Sequence, residues 1–403
     1  MTSELHDVIV VGAGPGGSTA AIGLMERGVK DVLVLDRDEF PRDKTCGSGL
    51  SPNALAILDR LGLGEEVRSR SEPLLSVKIV TPGGRSMVLA GNAAAVVCLR
   101  RDFDAILLRR ATELGARFRG GTKVSTLVRE HGRVVGVKLA NGTELRARYV
   151  LCADGAHSIF SIDPRPKRTI STIMGWWEGV ETVRGQAEMI FDECVSPLYG
   201  WLFPESPTRV NIGICIDGQD ANGQKTKRNV REVFATFLDR HYRERLGSAR
   251  QIGAFKGHPI SYTTWISHCT TPGALYLGEA ARVTHNATGE GISHAMQSGL
   301  YAADTLADIL LRGADEASAF RAYTRRHRRR FTAGFLAGHA LRALVKTPAL
   351  DMIAAVSNHP RVRPALVRVL GSALAGSHVE DASKGRVDGP SLDFGSSLER
   401  HAS

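Results

Sequence analysis

The sequence has no apolar stretch long enough to span a bilayer, which argues against a helical membrane span. Its start, Met1-Thr2-Ser3-Glu4-Leu5-His6-Asp7, has neither a basic region nor an apolar signal core, so a cleaved signal peptide is not expected. The cysteines, at 46, 98, 152, 194, 215 and 269, show no C-x-x-C spacing. Cys98, Cys152 and Cys215 sit in or beside apolar runs, as reduced, buried thiols of a cytoplasmic protein do. No His/Cys cluster has metal-ligand spacing and no G-x-S-x-G elbow occurs, so no metal is expected and hydrolase chemistry is disfavoured. Internal repeats are absent. What is present is the composition of a globular protein: 403 residues, 43% hydrophobic and 23% charged, enough for two or three domains. The formal charge of +10 is partly local, in Arg325-Arg326-His327-Arg328-Arg329-Arg330. With no interleaved aromatics or binding motif beside it, this run does not point to nucleic acid. It reads as a solvated helix face, or as a surface for anionic lipid or an acidic partner, hence a peripheral membrane contact.

The strongest positive signal is Gly12-Ala13-Gly14-Pro15-Gly16-Gly17. It follows the apolar run Val8–Val11 and opens the small-residue stretch Ser18-Thr19-Ala20-Ala21. A second run, Val32-Leu33-Val34-Leu35, ends on Asp36. Strand, glycine turn, helix, strand and acid in this order form a dinucleotide-binding unit. The turn lets a pyrophosphate approach the backbone at a helix N-terminus, and the acid meets a ribose hydroxyl. The motif alone does not choose between NAD and FAD.

Residues 52–61 have helical spacing, and residues 75–80 and 86–89, split by Pro82-Gly83-Gly84, read as a hairpin. A helix is expected over 102–114 and a three-stranded meander over 123–152. From 165 to 263 short alternating runs predict an antiparallel sheet, interrupted by a helix near 228–243. Leu275-Tyr276-Leu277-Gly278 then returns to the first style, followed by a long helix over 291–312. The expected fold is α/β: a three-layer, Rossmann-like dinucleotide domain with an inserted antiparallel β-sheet substrate domain and a helical C-terminus. The pieces are 1–74, 93–164 and 264–312 for the first; 75–92 and 165–263 for the second; and 313–375 for the helical region. The Gly-, Ser- and Asp-rich tail 376–403 is expected to be disordered.

Further motifs carry chemistry. Pro41-Arg42-Asp43-Lys44-Thr45-Cys46-Gly47-Ser48-Gly49-Leu50 follows the acid-tipped strand, with glycines that admit a flat ligand. Arg100-Arg101-Asp102 opens a helix, and Asp154-Gly155 and Gly278-Glu279 end strand-like runs. Thr288-Gly289-Glu290-Gly291-Ile292 is another glycine turn leading into a helix.

Together these segments resemble the geranylgeranyl reductase family of FAD-dependent oxidoreductases, within the aromatic-hydroxylase-like flavoprotein class, over residues 6–375. Pro41-x-x-Lys44-x-Cys46-Gly47-x-Gly49-Leu50 is the most family-specific segment, and Tyr199-Gly200-Trp201-Leu202-Phe203-Pro204 the next. The resemblance implies FAD, with NAD(P)H docking transiently as reductant, since no second G-x-G-x-x-G occurs. It places Gly12, Ala13, Gly14 and Gly17 at the pyrophosphate, Asp36 at the adenosine ribose and Val124 at the adenine. Cys46 and Gly47 fall near the isoalloxazine or ribityl, and Arg100 on the phosphate–ribityl side. Asp154 and Glu279 belong to the cofactor site, and Gly291 and Ile292 bring backbone N–H groups near the ring. Tyr199, Trp201 and Phe203 wall the substrate cavity. Cys46 is a candidate proton donor; its other reading is a packed neighbour of the flavin.

The chain departs from the family pattern beside the flavin. Gly-Asp-Ala-Ala-Gly becomes Gly278-Glu279-Ala280-Ala281-Arg282, and an expected proline becomes Asn286, next to His285. His285 is a candidate acid or a structural hydrogen-bonder, and Asn286 a candidate substrate contact. Trp176-Trp177 is either cavity wall or core. The leading function is saturation of a carbon–carbon double bond in a prenyl, quinone or polyketide-type substrate, with electrons from NAD(P)H. The first alternative is a monooxygenase of secondary metabolism, which a polar His285-Asn286 edge would favour. A halogenase fits less well, because its Trp-x-Trp-x-Ile-Pro pattern is not met at 199–204. The remaining alternative is a non-catalytic flavin-binding protein at a membrane surface. Oligomeric state is left open.

Overall fold

The computed structural model describes residues 5–160, 168–219, 224, 226, 228–357 and 359, without the side chains of 90–94. The expected continuation of the C-terminal helical region past 359 and the tail 376–403 lie outside these residues. The first strand, β1 (Leu5–Val11), runs through Gly12 into α1 (Pro15–Glu26), which leads to β2 (Val32–Leu35). Val8, Ile9 and Val10 are fully buried on both faces, as befits a strand inside a parallel sheet covered by helices. β1 pairs in parallel with β2 (Val11 opposite Leu35) and with the strand Glu144–Cys152 (Val11 opposite Cys152). The strand Ala274–Tyr276 continues the parallel order beyond Glu144–Cys152, and Arg117–Arg119 beyond β2. Arg133–Leu139 adds antiparallel to Glu144–Cys152 and Val124–Glu130 to Arg133–Leu139, and the short strand Thr270–Thr271, antiparallel to Ala274–Tyr276, completes an eight-stranded sheet.

Pro15 at the first turn pre-sets φ for α1 where no N–H partner is needed. The small residues behind it let α1 lie against the helix Ile292–Arg312: a Cβ on Gly299 would stand 2.4 Å from the Gly16 carbonyl oxygen. Bulkier residues would force these helices apart.

The second eight-stranded sheet is mostly antiparallel and is built from two distant stretches of chain. The hairpin Glu72–Val80 and Ser86–Val97 joins it by parallel pairing with Gln186–Ile190. Its second strand runs eight residues past the expected end at 89. Ala90-Gly91-Asn92-Ala93-Ala94 has little strand propensity of its own, so pairing of Glu72 to Val97 decides its conformation. On this sheet period-two alternation separates two cores. Ile173, Trp177, Leu202, Ile212 and Ile214 face the helix Val230–Leu246, meeting Phe234 and Phe237. Met174, Met189, Tyr199, Trp201 and Cys215 cluster on the opposite side, capped by Val345, Leu350 and Ala354 from the C-terminal helices. Trp177 is therefore core. Trp176 points the other way and donates to Glu205 Oε1 at 2.9 Å.

The arginine run lies on the helix Glu316–Leu344. Arg326 pairs with Asp304 at 2.7 Å and lies 3.8 Å from the Tyr301 ring centroid, while Arg328 donates to the Ile266 carbonyl. His327 is buried against Ser298 (2.8 Å). Much of this charge thus ties the helix to its neighbours, while Arg325 and Arg329 stay exposed.

Candidate active site

Four parallel strands stop along one edge of the first sheet. Their C-terminal ends deliver Gly12, Asp36, Ala153-Asp154 and Leu277-Gly278-Glu279 to one place, the crevice where α/β sheets take ligands. A cavity of 1020 Å³ runs from this edge to the inner face of the second sheet. That exceeds the roughly 300–1,000 Å³ usual for one small ligand and leaves room for a cofactor and a substrate together.

Gly12 (φ 103°) makes the first turn, and a Cβ there would stand 2.4 Å from the Ala153 carbonyl oxygen. Gly14 is open to the cavity, its nearest neighbour in the direction of a Cβ being Arg42 Nη2 at 3.9 Å. Asp36 is buried; its carboxylate accepts the Ala13 N–H at 2.7 Å and the Asp38 N–H at 3.0 Å. Arg100 forks onto buried Asp104 (2.8 and 2.7 Å), with Cys46 beside it. Glu279 Oε1 accepts the Ser261 N–H at 2.8 Å, linking the two sheets beside the cavity. Asp154 Oδ2 accepts the Ile159 N–H at 3.3 Å. Gly291 caps the Ile292–Arg312 helix without a side-chain cap. Val124, Cys46, Gly47, Gly291 and Ile292 all line the same cavity as Gly12, Gly14, Asp36, Arg100, Asp154 and Glu279.

At the far end Tyr199, Trp201 and Phe203 share one face of the strand Gly200–Pro204 and its lead-in. Tyr199 Oη donates to the Thr288 carbonyl (2.5 Å) and Trp201 Nε1 to Asn211 Oδ1 (2.8 Å). The Phe203 ring lies against the 47–49 loop, within 3.1 Å of where a Gly47 Cβ would be.

Four of the expected contacts stand elsewhere. Ala13 does not line the cavity; its N–H holds Asp36. Gly17 is one turn inside α1, where a Cβ would lie 1.9 Å from the Gly12 carbonyl oxygen, so its role is helix–strand packing rather than ligand contact. His285 and Asn286 sit behind the Thr288–Gly291 turn, under the Glu316–Leu344 helix. His285 Nδ1 accepts the Thr288 N–H at 3.1 Å, and burial pulls its pKa down to about 4, so it is neutral at physiological pH. Asn286 Nδ2 donates to the Phe335 carbonyl at 3.1 Å. Arg282, too, is buried outside the cavity lining, at φ 57°, a conformation glycine adopts without strain.

Two groups of the cavity, Arg42 and Glu290, escaped sequence reasoning, and a third, Lys44, which by sequence is a solvated or flavin-adjacent charge, lines the cavity with them. Arg42 faces it with a buried Nη1 that has no hydrogen-bond partner. Lys44 Nζ meets His258 Nε2 at 2.9 Å; burial and neighbouring Arg100 lower the ammonium pKa to about 8. Glu290 accepts hydroxyls from Ser51 and Ser293, and burial raises its carboxyl above the usual range. It can hold a proton next to two serines that also line the cavity. The Gly289-Glu290-Gly291 turn was visible in sequence, but a partner 239 positions away was not.

The donor set fits FAD: a side-chain-free turn and an uncapped helix start for phosphates, a guanidinium whose Nη1 donors are unspent, and a carboxylate at the end of β2. Among the described residues no cluster of three His, Cys, Asp or Glu could hold a metal, and no helix is long and apolar enough to cross a membrane.

Residues 6–335 match the family model of the FAD binding domain. Over 324 residues the chain is 31% identical to a menaquinone reductase of Mycobacterium tuberculosis, covering 74% of this chain and 76% of the relative. The chain belongs to the geranylgeranyl reductase family of FAD-dependent oxidoreductases. Another relative of this oxidoreductase, a digeranylgeranylglycerophospholipid reductase of Thermoplasma acidophilum, is 28% identical over 326 residues, 76% of this chain and 79% of that one. A solved geranylgeranyl bacteriochlorophyll reductase-like structure from the same organism superposes with TM-score 0.75 at 24% identity, covering 91% and 99%. A flavin-dependent brominase superposes with TM-score 0.77 at 22% identity, covering 92% and 94%, a likeness of fold alone.

The oxidoreductase should bind FAD in the cavity and release it intact on denaturation. Asp36→Ala should weaken FAD binding by about 1.5–3 kcal/mol, roughly 10- to 150-fold, as loss of hydrogen bonds to a charged group does. Titration of flavin fluorescence with apo-protein measures this. Unchanged affinity would remove Asp36 from the site.

Proposed function

We propose that this oxidoreductase saturates a carbon–carbon double bond of a prenyl, quinone or polyketide-type substrate, with electrons drawn from NAD(P)H. FAD, when bound, relays those electrons as hydride. In this reading Gly12, Gly14 and the start of α1 take the pyrophosphate, Asp36 the adenosine ribose, and Val124 the adenine. Arg100, Cys46, Gly47, Asp154 and Glu279 surround the ribityl and ring, and Gly291 and Ile292 meet the ring from the helix start. One observation carries the substrate assignment. Beyond the polar strand ends the same cavity continues between apolar walls of Leu74, Val77, Met174, Met189, Trp201 and Phe203. Such a compartment excludes water and suits an unsaturated hydrocarbon chain. The names of the relatives support a prenylated or quinone substrate.

The oxygenase alternative drew on a polar His285-Asn286 edge. Both residues stand outside the cavity lining, so that motivation falls away. The test is anaerobic turnover with NADPH or NADH and two probes, a menaquinone and a digeranylgeranylglycerophospholipid. The expected product is heavier than substrate by two hydrogen atoms and forms without air. A product that forms only in air and carries an atom of isotopically labelled dioxygen would overturn the reductase reading and leave fold and cofactor intact.

A further inference from the structure

A second cavity, of 390 Å³, lies against the first. Lys44, Thr45, Cys46, Ser48 and Arg100 line both, so the loop after Pro41 is a partition one segment thick. The far wall comes from an irregularity in the substrate sheet. The strand Arg250–Tyr262 pairs regularly with Arg168–Glu178 except between Met174 and Trp176, where its register shifts and Gly253 takes φ 66°. The bulge lifts Gly253 and Ala254 into the cavity wall and sets Lys256 over the Trp176 indole, 5.7 Å from its centroid. Trp176 is itself fixed by Glu205 and lines the space.

The charge of this cavity is one-sided. Arg209 pairs with Glu205 and Arg100 with Asp104. Arg101 and Lys256 have no carboxylate partner among the described residues, while Lys44 bonds His258 and also feels the Glu279 carboxylate. Burial and Lys44 push the His258 pKa to about 3, so the imidazole offers no charge. Asp43 is the other acid in the lining, and it is exposed. The helix Arg100–Glu113 also starts here, without a side-chain cap. Cations that no acid satisfies, beside an indole face, are complementary to a ligand with phosphates and an aromatic base.

We propose that this second cavity is the docking site of the reductant, and that it takes the phosphate-bearing part of NADPH. The proposal rests on the reductase reading above and names where its electron donor binds. NADPH is favoured over NADH because its additional phosphate meets Arg101 and Lys256. Trp176 supplies a stacking face, and the Lys44–Ser48 partition places the bound donor beside the flavin compartment.

The test uses the FAD-loaded enzyme and the double variant Arg101→Glu/Lys256→Glu. Neither residue lines the first cavity. The expected result is a KM for NADPH raised about 10-fold or more, steeper than the change for NADH. Flavin content, and turnover driven by dithionite in place of NADPH, should not move. NADP⁺ should quench tryptophan fluorescence of the wild type, and Trp176→Phe should lose that quench. Unchanged KM and quench in these variants, with NADPH still reducing the wild type, overturns the site alone. A wild type that dithionite-driven alkene turnover supports but NADPH never reduces overturns the nicotinamide reading, and the docking site with it. A raised KM for the digeranylgeranylglycerophospholipid instead of NADPH assigns the cavity to a substrate headgroup and also overturns the proposal.

Discussion

Gly12→Ala should yield a protein with no bound flavin and a markedly lowered Tm. Two faults coincide at this position. The backbone sits at φ 103°, where a side chain is strained. The added Cβ would stand 2.4 Å from the carbonyl oxygen and 2.8 Å from the carbonyl carbon of Ala153, which are backbone atoms of the adjoining strand end. A flexible side chain could move aside; this strand end cannot do so without opening the parallel pairing of Val11 and Cys152. The loss should be about 3 kcal/mol or more, a large share of the roughly 5–15 kcal/mol that holds a domain together. Gly14→Ala is the control. Its φ is −71° and its Cβ would have only Arg42 Nη2 near, at 3.9 Å, so the apo-protein should keep its Tm. Flavin affinity should nevertheless fall, because the methyl group occupies the approach to the helix N-terminus. Thermal unfolding and flavin absorbance separate the two variants. A Gly12→Ala protein that is yellow and as stable as wild type would contradict the turn geometry.

Trp201→Ala should reduce kcat/KM by about 100-fold or more, the cost of losing productive orientation at a reacting centre. Flavin content should remain. The indole is packed between Tyr199 (6.4 Å) and Phe203 (6.3 Å) and fills the space that glycine leaves at 213, where a Cβ would be 2.3 Å from the ring. Truncation removes this wall and strips Asn211 Oδ1 of its donor. Stability should fall as well, by about 3 kcal/mol, the low end for a large aromatic, because one side of the ring already faces a cavity. Trp201→Phe should restore most of the stability and part of the turnover. If the alanine variant loses its flavin, the ring acts by holding the Gly47–Gly49 loop rather than the substrate, and the wall assignment fails.

Much of the architecture is local in origin and therefore legible. The runs Val8–Val11 and Val32–Leu35 are apolar throughout because both faces are covered, and the glycine turn between strand and helix has a single geometry. The aromatics of 199–203 share a face because strand side chains alternate, whatever the sheet does elsewhere. Sequence adjacency failed where a second element decides what a residue faces. His285 and Asn286 directly precede a cavity turn, yet the Glu316–Leu344 helix packs on their side and seals them from it. The strand Ser86–Val97 is long because Glu72–Val80 and distant Gly49–Leu50 supply its hydrogen-bond partners, not because Ala90–Ala94 prefer extension.

The sequence by itself determined the dinucleotide unit, the family and the aromatic wall, since each rests on periodicity or on motifs spanning a few residues. Only the tertiary structure decided which charges meet. Lys44 finds His258 across 214 positions, Ser51 finds Glu290 across 239, and Lys256 reaches the second cavity through a bulge that no local pattern announces. Those pairings arise from how two sheets are brought together. Their energies depend on burial and distance, and neither is written along a chain.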